Sequence, residues 1–121
     1  MTRKHHNLIA WQQAIALVKA VYLLSARFPR AETYGLIAQM RRASISVPAN
    51  IAEGVGRSGA RDRIQFFVIA RGSLTELETY IVLAKELGYA SDTSEIETIV
   101  ENVFGLLGGL INAERGKSAA A

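Results

Sequence analysis

From Leu8 onward, apolar residues recur every three or four positions, and no stretch sustains the strict alternation of a half-buried strand. That period predicts helices. The first predicted helix covers 8–28. Leu8, Trp11, Ile15, Val18, Tyr22 and Ser25 form one stripe, and Leu17, Val21, Leu24 and Phe28 form a second beside it. Together they make the wide apolar face of a core-facing helix. Pro29 ends it, because proline disfavours helical geometry in the residue before it. The second predicted helix covers 33–53 and has Pro48 inside it. An internal proline removes one hydrogen bond and clashes with the carbonyl four residues back, a cost of about 3 kcal/mol. Leu36, Met40, Ala43, Val47 and Ile51 nevertheless stay in phase across Pro48. The pattern therefore predicts a kink rather than a break, with Ser44 and Ser46 able to satisfy freed backbone groups. Gly54 is the expected stop.

The third predicted helix covers 61–87, with Ser58 as a candidate N-cap and Asp62 in the first turn. Its inner stripe is Ile64, Phe67, Ala70, Leu74, Leu77, Ile81 and Ala84, and Gly88 closes it. The fourth opens near Asp92, where Glu95 completes a spacing like that of a capping box. Ile96, Ile99, Val103, Leu106 and Leu110 continue it in phase. Short connections make consecutive helices pack antiparallel. The expected fold is all-α: an antiparallel up-down-up-down four-helix bundle with a Pro-kinked second helix. Residues 1–7 read as a flexible basic N-terminus, 8–115 as the bundle and 116–121 as a disordered tail.

At 121 residues the chain is one domain by size, and a hydrophobic content of 50 % is that of a globular protein. The absence of cysteine excludes disulfides and thiolate metal sites and suits a reducing compartment. No apolar run approaches the roughly 20 residues of a membrane span. Gln12, Gln13 and Lys19 interrupt any signal-peptide core, so the expected location is the cytoplasm. The net charge of +3 is unevenly spread. Residues 1–57 carry eight Lys/Arg against two acids, +6, and residues 58–121 carry six against nine, −3. A basic half and an acidic half suit contact with a polyanion, or head-to-tail pairing with further copies.

Candidate chemistry is sparse. Gly54 to Gly59 matches G-x-G-x-x-G, but a dinucleotide fingerprint follows a strand, and here a helix precedes it. Gly116-Lys117-Ser118 resembles the end of a phosphate-binding loop whose first glycine is missing. The only histidines, His5 and His6, precede the first helix, so neither Glu-x-x-His metal pairs nor nucleophile–base pairs occur in the bundle. No enzymatic activity, metal or cofactor is expected. Trp11 reads as a packing residue rather than a base-stacking one. Glycines 72, 105, 108 and 109 fall inside helices, where each costs about 1 kcal/mol relative to alanine. They suggest close helix approach within or between subunits. Val55, Phe66, Val82 and Phe104 fall off the inner stripes and favour self-association.

Arginine outnumbers lysine, which suits bidentate phosphate contacts. Candidate nucleic-acid contacts are Arg3, Lys4, Arg27, Arg30, Arg41, Arg57, Arg61 and Arg63. A structural polar network is expected from Arg42, Ser46, Asn50, Glu53, Glu76 and Glu78, with Arg42 pairing to a carboxylate inside the bundle.

Tyr34-Gly35-Leu36, Gln39, Arg41-Arg42-Ala43, Ser46-Val47-Pro48, Asn50-Ile51-Ala52-Glu53-Gly54 and Arg57 make up one distinctive set of residues. Ala10-Trp11-Gln12, Phe28-Pro29, Gly72-Ser73-Leu74, Glu76-Leu77-Glu78 and Leu87-Gly88-Tyr89 extend it. With these motifs the chain, from residue 8 to about 111, resembles the bacterial four-helix-bundle proteins encoded in intervening sequences of 23S ribosomal RNA genes, sometimes labelled ribosomal proteins. The resemblance implies an antiparallel bundle assembling as a ring-like homopentamer, without enzymatic activity. That family is similar to accessory proteins of diversity-generating retroelements, which bind a reverse transcriptase and nucleic acid through a basic surface. The implied partners are further copies of the chain, RNA or DNA, and a protein such as a reverse transcriptase, with no membrane. The alternative is a scaffold that docks a partner enzyme without touching nucleic acid.

Overall fold

A computed structural model describes residues 3–120, with side chains as far as Lys117. Among the described residues there is no strand. Four α-helices follow one another: α1 (Ile9–Ser25), α2 (Leu36–Val55), α3 (Ala60–Glu86) and α4 (Ser94–Ala120). Each helix lies against its two neighbours in the cycle α1–α2–α3–α4, and among the described residues no close backbone approach crosses the diagonal. Arg63 near the start of α3 pairs with Glu114 near the end of α4, while Lys85 at the end of α3 pairs with Glu97 at the start of α4. These two pairs make α3 and α4 run in opposite directions.

The core is one cluster drawn from all four helices. In α2 and α3 the expected stripes are the buried ones, except that Ile64 is half-buried. In α1 the second of the two expected stripes is the buried one, and the first is only partly so. Ala10, Ala14, Leu17, Val21 and Ser25 are buried, whereas Ile15 and Tyr22 are exposed. Two of the inner positions are alanines, and several bulky residues are left half-buried or exposed. In α4, Ile96, Val100, Val103, Leu107 and Ile111 are inside, while Ile99, Leu106 and Leu110 lie at the margin. Residues 94–117 of α4 are long and apolar enough to cross a membrane by length and composition, with a mean hydropathy of 1.2, contrary to the expectation that no such run exists. One face of that helix closes the core, through Ile96, Val100, Val103, Leu107 and Ile111.

Pro48 is buried within α2 and does not end it. The surrounding polar residues do more than tend the backbone. Ser44 Oγ donates to the Arg41 carbonyl, Ser46 Oγ lies 2.8 Å from Ser73 Oγ on α3, and Asn50 Nδ2 donates to both the carbonyl and the hydroxyl of Ser46. Gly54 is not the stop. α2 runs to Val55 with Gly56 as its cap, and Gly54 is buried against Phe67. α3 starts behind Gly59, without a side-chain cap from Ser58. It ends as expected at Gly88, whose φ of 79° is the left-handed value a side chain disfavours. There the Tyr89 and Gly88 N–H groups donate to the Ala84 and Lys85 carbonyls. The Tyr89 hydroxyl then donates to Glu32, tying this end to the α1–α2 connection.

Lys4–Asn7 form a 3-10 turn, held by the Arg3 N–H on His6 Nδ1 and by Gln12 Nε2 on the His6 carbonyl. α4 runs to Ala120, and near its end Lys117 Nζ donates to Glu114 one turn back. Met1, Thr2 and Ala121 lie outside the described residues.

Candidate nucleic-acid interface

The up-and-down path brings the chain's start, the α2–α3 turn and the last turns of α4 to one end of the bundle. Arg3, Lys4, Arg57, Arg61, Arg63, Arg115 and Lys117 gather there, against Glu53, Asp62 and Glu114. The opposite end holds Arg27, Arg30 and Lys85 against Glu32, Glu86, Asp92, Glu95 and Glu97. A modest net charge is thus resolved into one clearly basic end.

A recess of about 350 Å³ opens at that end, with Lys4, Arg57, Arg63 and Lys117 around an apolar floor that includes Leu8, Val55 and Phe67. Glu114 lies within it, only 7 % exposed. The Arg63 guanidinium at its side, aided by Lys117, holds its carboxyl below the usual range against the opposing effect of burial. Lys117 Nζ donates to Oε1 at 3.2 Å, and Arg63 Nη2 stands 2.9 Å from Oε2. The Arg63 N–H does not aim at Oε2, so that contact is a close ion pair rather than an aligned hydrogen bond. Arg63 Nη1 also donates to the Arg57 carbonyl. Arg63 is therefore occupied as the counter-ion of a buried acid. Arg57 is freer: it lies 4.7 Å over the Phe66 ring and 3.6 Å from Glu53, with both charged groups substantially exposed.

The eight sequence candidates are not brought together as one surface. Arg3, Lys4, Arg57, Arg61 and Arg63 share the basic end, and Arg3, Lys4 and Arg61 have no ion-pair partner among the described residues. Arg27 and Arg30 sit at the opposite end. Arg41 spans the α1–α2 seam, where Nε donates to Ser25 Oγ and the guanidinium stacks 4.4 Å over Tyr22.

The polar-network residues divide between the α2–α3 seam and other places. Arg42 donates to Gln39 and to Glu76, with Nη2 2.6 Å from the Glu76 carboxylate. The Tyr80 hydroxyl donates to the same oxygen. Tyr80 first, then Arg42, hold Glu76 below the usual carboxylate range, while the Glu76 bond pushes the Tyr80 phenol up. Ser46 and Asn50 complete the seam with Ser73. Glu53 belongs instead to Arg57, and Glu78 faces α4. Trp11 is half-buried and packs edge-on to His5 at 5.1 Å and tilted against His6 at 5.2 Å, an aromatic group beside the basic end that the stripe pattern did not signal. Among the described residues no three His, Asp or Glu side chains cluster as metal ligands would.

A family model for 23S rRNA-intervening sequence proteins matches residues 6–109, which takes in α1, α2 and α3 and most of α4. The chain belongs to that family. No curated protein matches it. In this 23S rRNA-intervening sequence protein the matched span contains Arg57, Arg61 and Arg63, while Arg3, Lys4, Glu114 and Lys117 lie beyond its limits. The buried Arg63–Glu114 pair thus joins a residue inside the matched span to one outside it.

Proposed function

We propose that this 23S rRNA-intervening sequence protein is a non-enzymatic, cytoplasmic, homo-oligomeric binding protein, a pentameric ring by family resemblance, whose basic end contacts RNA or DNA. The observation that supports this reading is the gathering of Arg3, Lys4, Arg57 and Arg61 at one end of the bundle, around Arg63 and Lys117, which already serve Glu114. Four uncommitted or loosely held cations bind phosphates weakly on one subunit. Repetition around a ring converts weak contacts into useful avidity. Each phosphate neutralised steepens the salt dependence, by a log–log slope of about 0.7 on a single strand. Titration of labelled single-stranded and structured RNA at two salt concentrations tests this. Tight binding at low salt, lost steeply at high salt and reduced by Lys4→Ala with Arg61→Ala, is the expected result. Absence of binding at low salt, or binding indifferent to salt, refutes it.

A second reading, a scaffold that docks a partner enzyme such as a reverse transcriptase, draws on exposed Ile69 and Leu83 along α3. Co-purification of a partner that survives nuclease treatment favours it.

A further inference from the structure

The bundle has two exposed apolar faces of opposite charge. One lies over the seam of α1 and α2, where Ile15 is 44 % and Ile45 is 45 % exposed and Tyr22 lies under Arg41. α1 contains no acidic residue and α2 only Glu53, so Lys19 and Arg41 set the sign of this face. The other lies over the seam of α3 and α4. A recess of about 410 Å³ there is lined by Glu78, Glu97 and Glu101 around Val82, which is 51 % exposed, with the buried Ile81 and Val100 at its base. Glu97 is 3.8 Å from Lys85, and Glu78 and Glu101 have no ion-pair partner among the described residues. Gly108, two turns from Glu101 on the same side of α4, has open space where a Cβ would stand, so packing within the chain does not require a glycine there.

Because the helices lie closely against one another only in cyclic order, the α1–α2 seam and the α3–α4 seam are opposite sides of the bundle. Placement decides what such faces can build. A self-complementary patch makes a two-fold dimer, whereas two different complementary patches on one chain make a head-to-tail contact that closes into a ring. Opposite charge around an apolar centre steers association and fixes the pairing. Like charge opposes pairing either face with itself.

We infer that a second copy of this chain is the occupant of both faces: the α1–α2 face of each copy seats on the α3–α4 face of the next. Ile15, Tyr22 and Ile45 meet Val82, and Lys19 and Arg41 stand toward Glu78 and Glu101. This rests on the homo-oligomeric reading proposed above and names the surfaces that assembly uses.

Two variants and their mixture test it by light scattering. Ile45→Glu places a carboxylate against the acidic face of the neighbour, and Val82→Arg places a cation against the basic one. Both side chains are about half exposed, so helicity by circular dichroism should match the parent. Each variant alone is expected to run as a monomer. Mixed in equal amounts they should associate again, because each contributes the face the other has lost. Assembly of the parent with Val82→Arg also still assembled, or a mixture that stays monomeric, overturns the choice of faces while leaving oligomerisation intact. A monomeric parent chain overturns both. RNA titration of the monomeric variants, which keep Lys4, Arg57 and Arg61, reads the nucleic-acid proposal separately.

Discussion

Gly54→Ala is the sharpest probe of how α2 and α3 meet. An ideal Cβ at Gly54 stands 2.7 Å from Phe67 Cε1, 3.0 Å from its Cδ1 and 3.1 Å from Phe66 Cβ. A carbon–carbon contact near 2.7 Å is not tolerated, so the ring or the helix has to move. Phe67 is 2 % exposed and belongs to the central cluster, so its ring moves only by displacing other core groups. Overpacking of this kind costs about 1–3 kcal/mol. Against it stands the gain of about 1 kcal/mol from replacing a helical glycine by alanine. A ring locked in the core puts the steric cost in the upper part of that range, about 2–3 kcal/mol, so the net loss is about 1–2 kcal/mol. Gly72→Ala is the control. Gly72 is exposed on α3 with no atom within 4 Å of its would-be Cβ, so it keeps the gain alone, up to about 1 kcal/mol. Urea unfolding followed by circular dichroism, at one fixed protein concentration, measures both. The expected result is a lower midpoint for Gly54→Ala and a higher one for Gly72→Ala, with a melting temperature that falls several degrees in the first case. A Gly54→Ala protein as stable as the parent refutes the reasoning, because Phe67 then yields freely and the helix approach does not depend on that glycine.

Two further outcomes follow from the charged groups. Arg63→Ala leaves Glu114 buried with Lys117 alone and is expected to cost about 2–4 kcal/mol, somewhat below a fully buried pair because the end is part-open; replacing both partners together by Met and Leu restores most of it, and an Arg63→Ala chain of unchanged urea midpoint contradicts the assignment. Glu76 and Asp92 have folded-state pKa values lowered by their hydrogen bonds, and Glu114 by the Arg63 guanidinium and Lys117, so each adds stability above the ordinary carboxylate range and loses it as pH falls through the folded value. Urea midpoints should therefore be level near neutrality and drop below about pH 4.5, less so in Glu114→Gln, and an acid-insensitive midpoint counts against these bonds.

The helices and the cores of α2 and α3 were readable because large apolar side chains carry the period there. α1 misled because its inner line is held by Ala10 and Ala14, which contribute little to a hydrophobic pattern, while Trp11, Ile15 and Tyr22 form a stronger stripe that belongs to the surface and seams. α4 was blurred by leucines and glycines on several sides. The sequence leads Arg42 to a carboxylate inside the bundle without choosing among Glu53, Glu76 and Glu78; the structure pairs it with Glu76 at an exposed seam, adds Gln39 and Tyr80, and gives Glu53 to Arg57. Read along the chain, Arg63 suits ligand contact, because its partner Glu114 lies fifty-one residues away. A signal did exist. Arg63 occupies the inner register of α3 one turn before Phe67, and Glu114 extends the inner register of α4 beyond Ile111. Opposite charges at core positions, at meeting ends of antiparallel helices, call for each other. The basic end was not legible at all from the chain's two charge halves, since it combines the start, the middle and the end of the sequence.

Threading up and down converts one linear charge asymmetry into two spatial ones. Side by side, α1 and α2 make a basic flank and α3 and α4 an acidic one. Along the axis, the residues next to the first, third and last helix boundaries make one basic end. The two proposals draw on separate members of this set: assembly on Lys19 and Arg41 at the flank, nucleic acid on Arg3, Lys4, Arg57 and Arg61 at the end. A ring closed through the flanks therefore neutralises none of the cations that face a polyanion, and it sets every basic end on the same rim. Head-to-tail closure is what makes that alignment automatic, because rotation about a single axis carries each end onto its equivalent. An isologous pair whose two-fold axis crossed the bundle axis would point the two basic ends apart and lose the avidity that weak arginine contacts require.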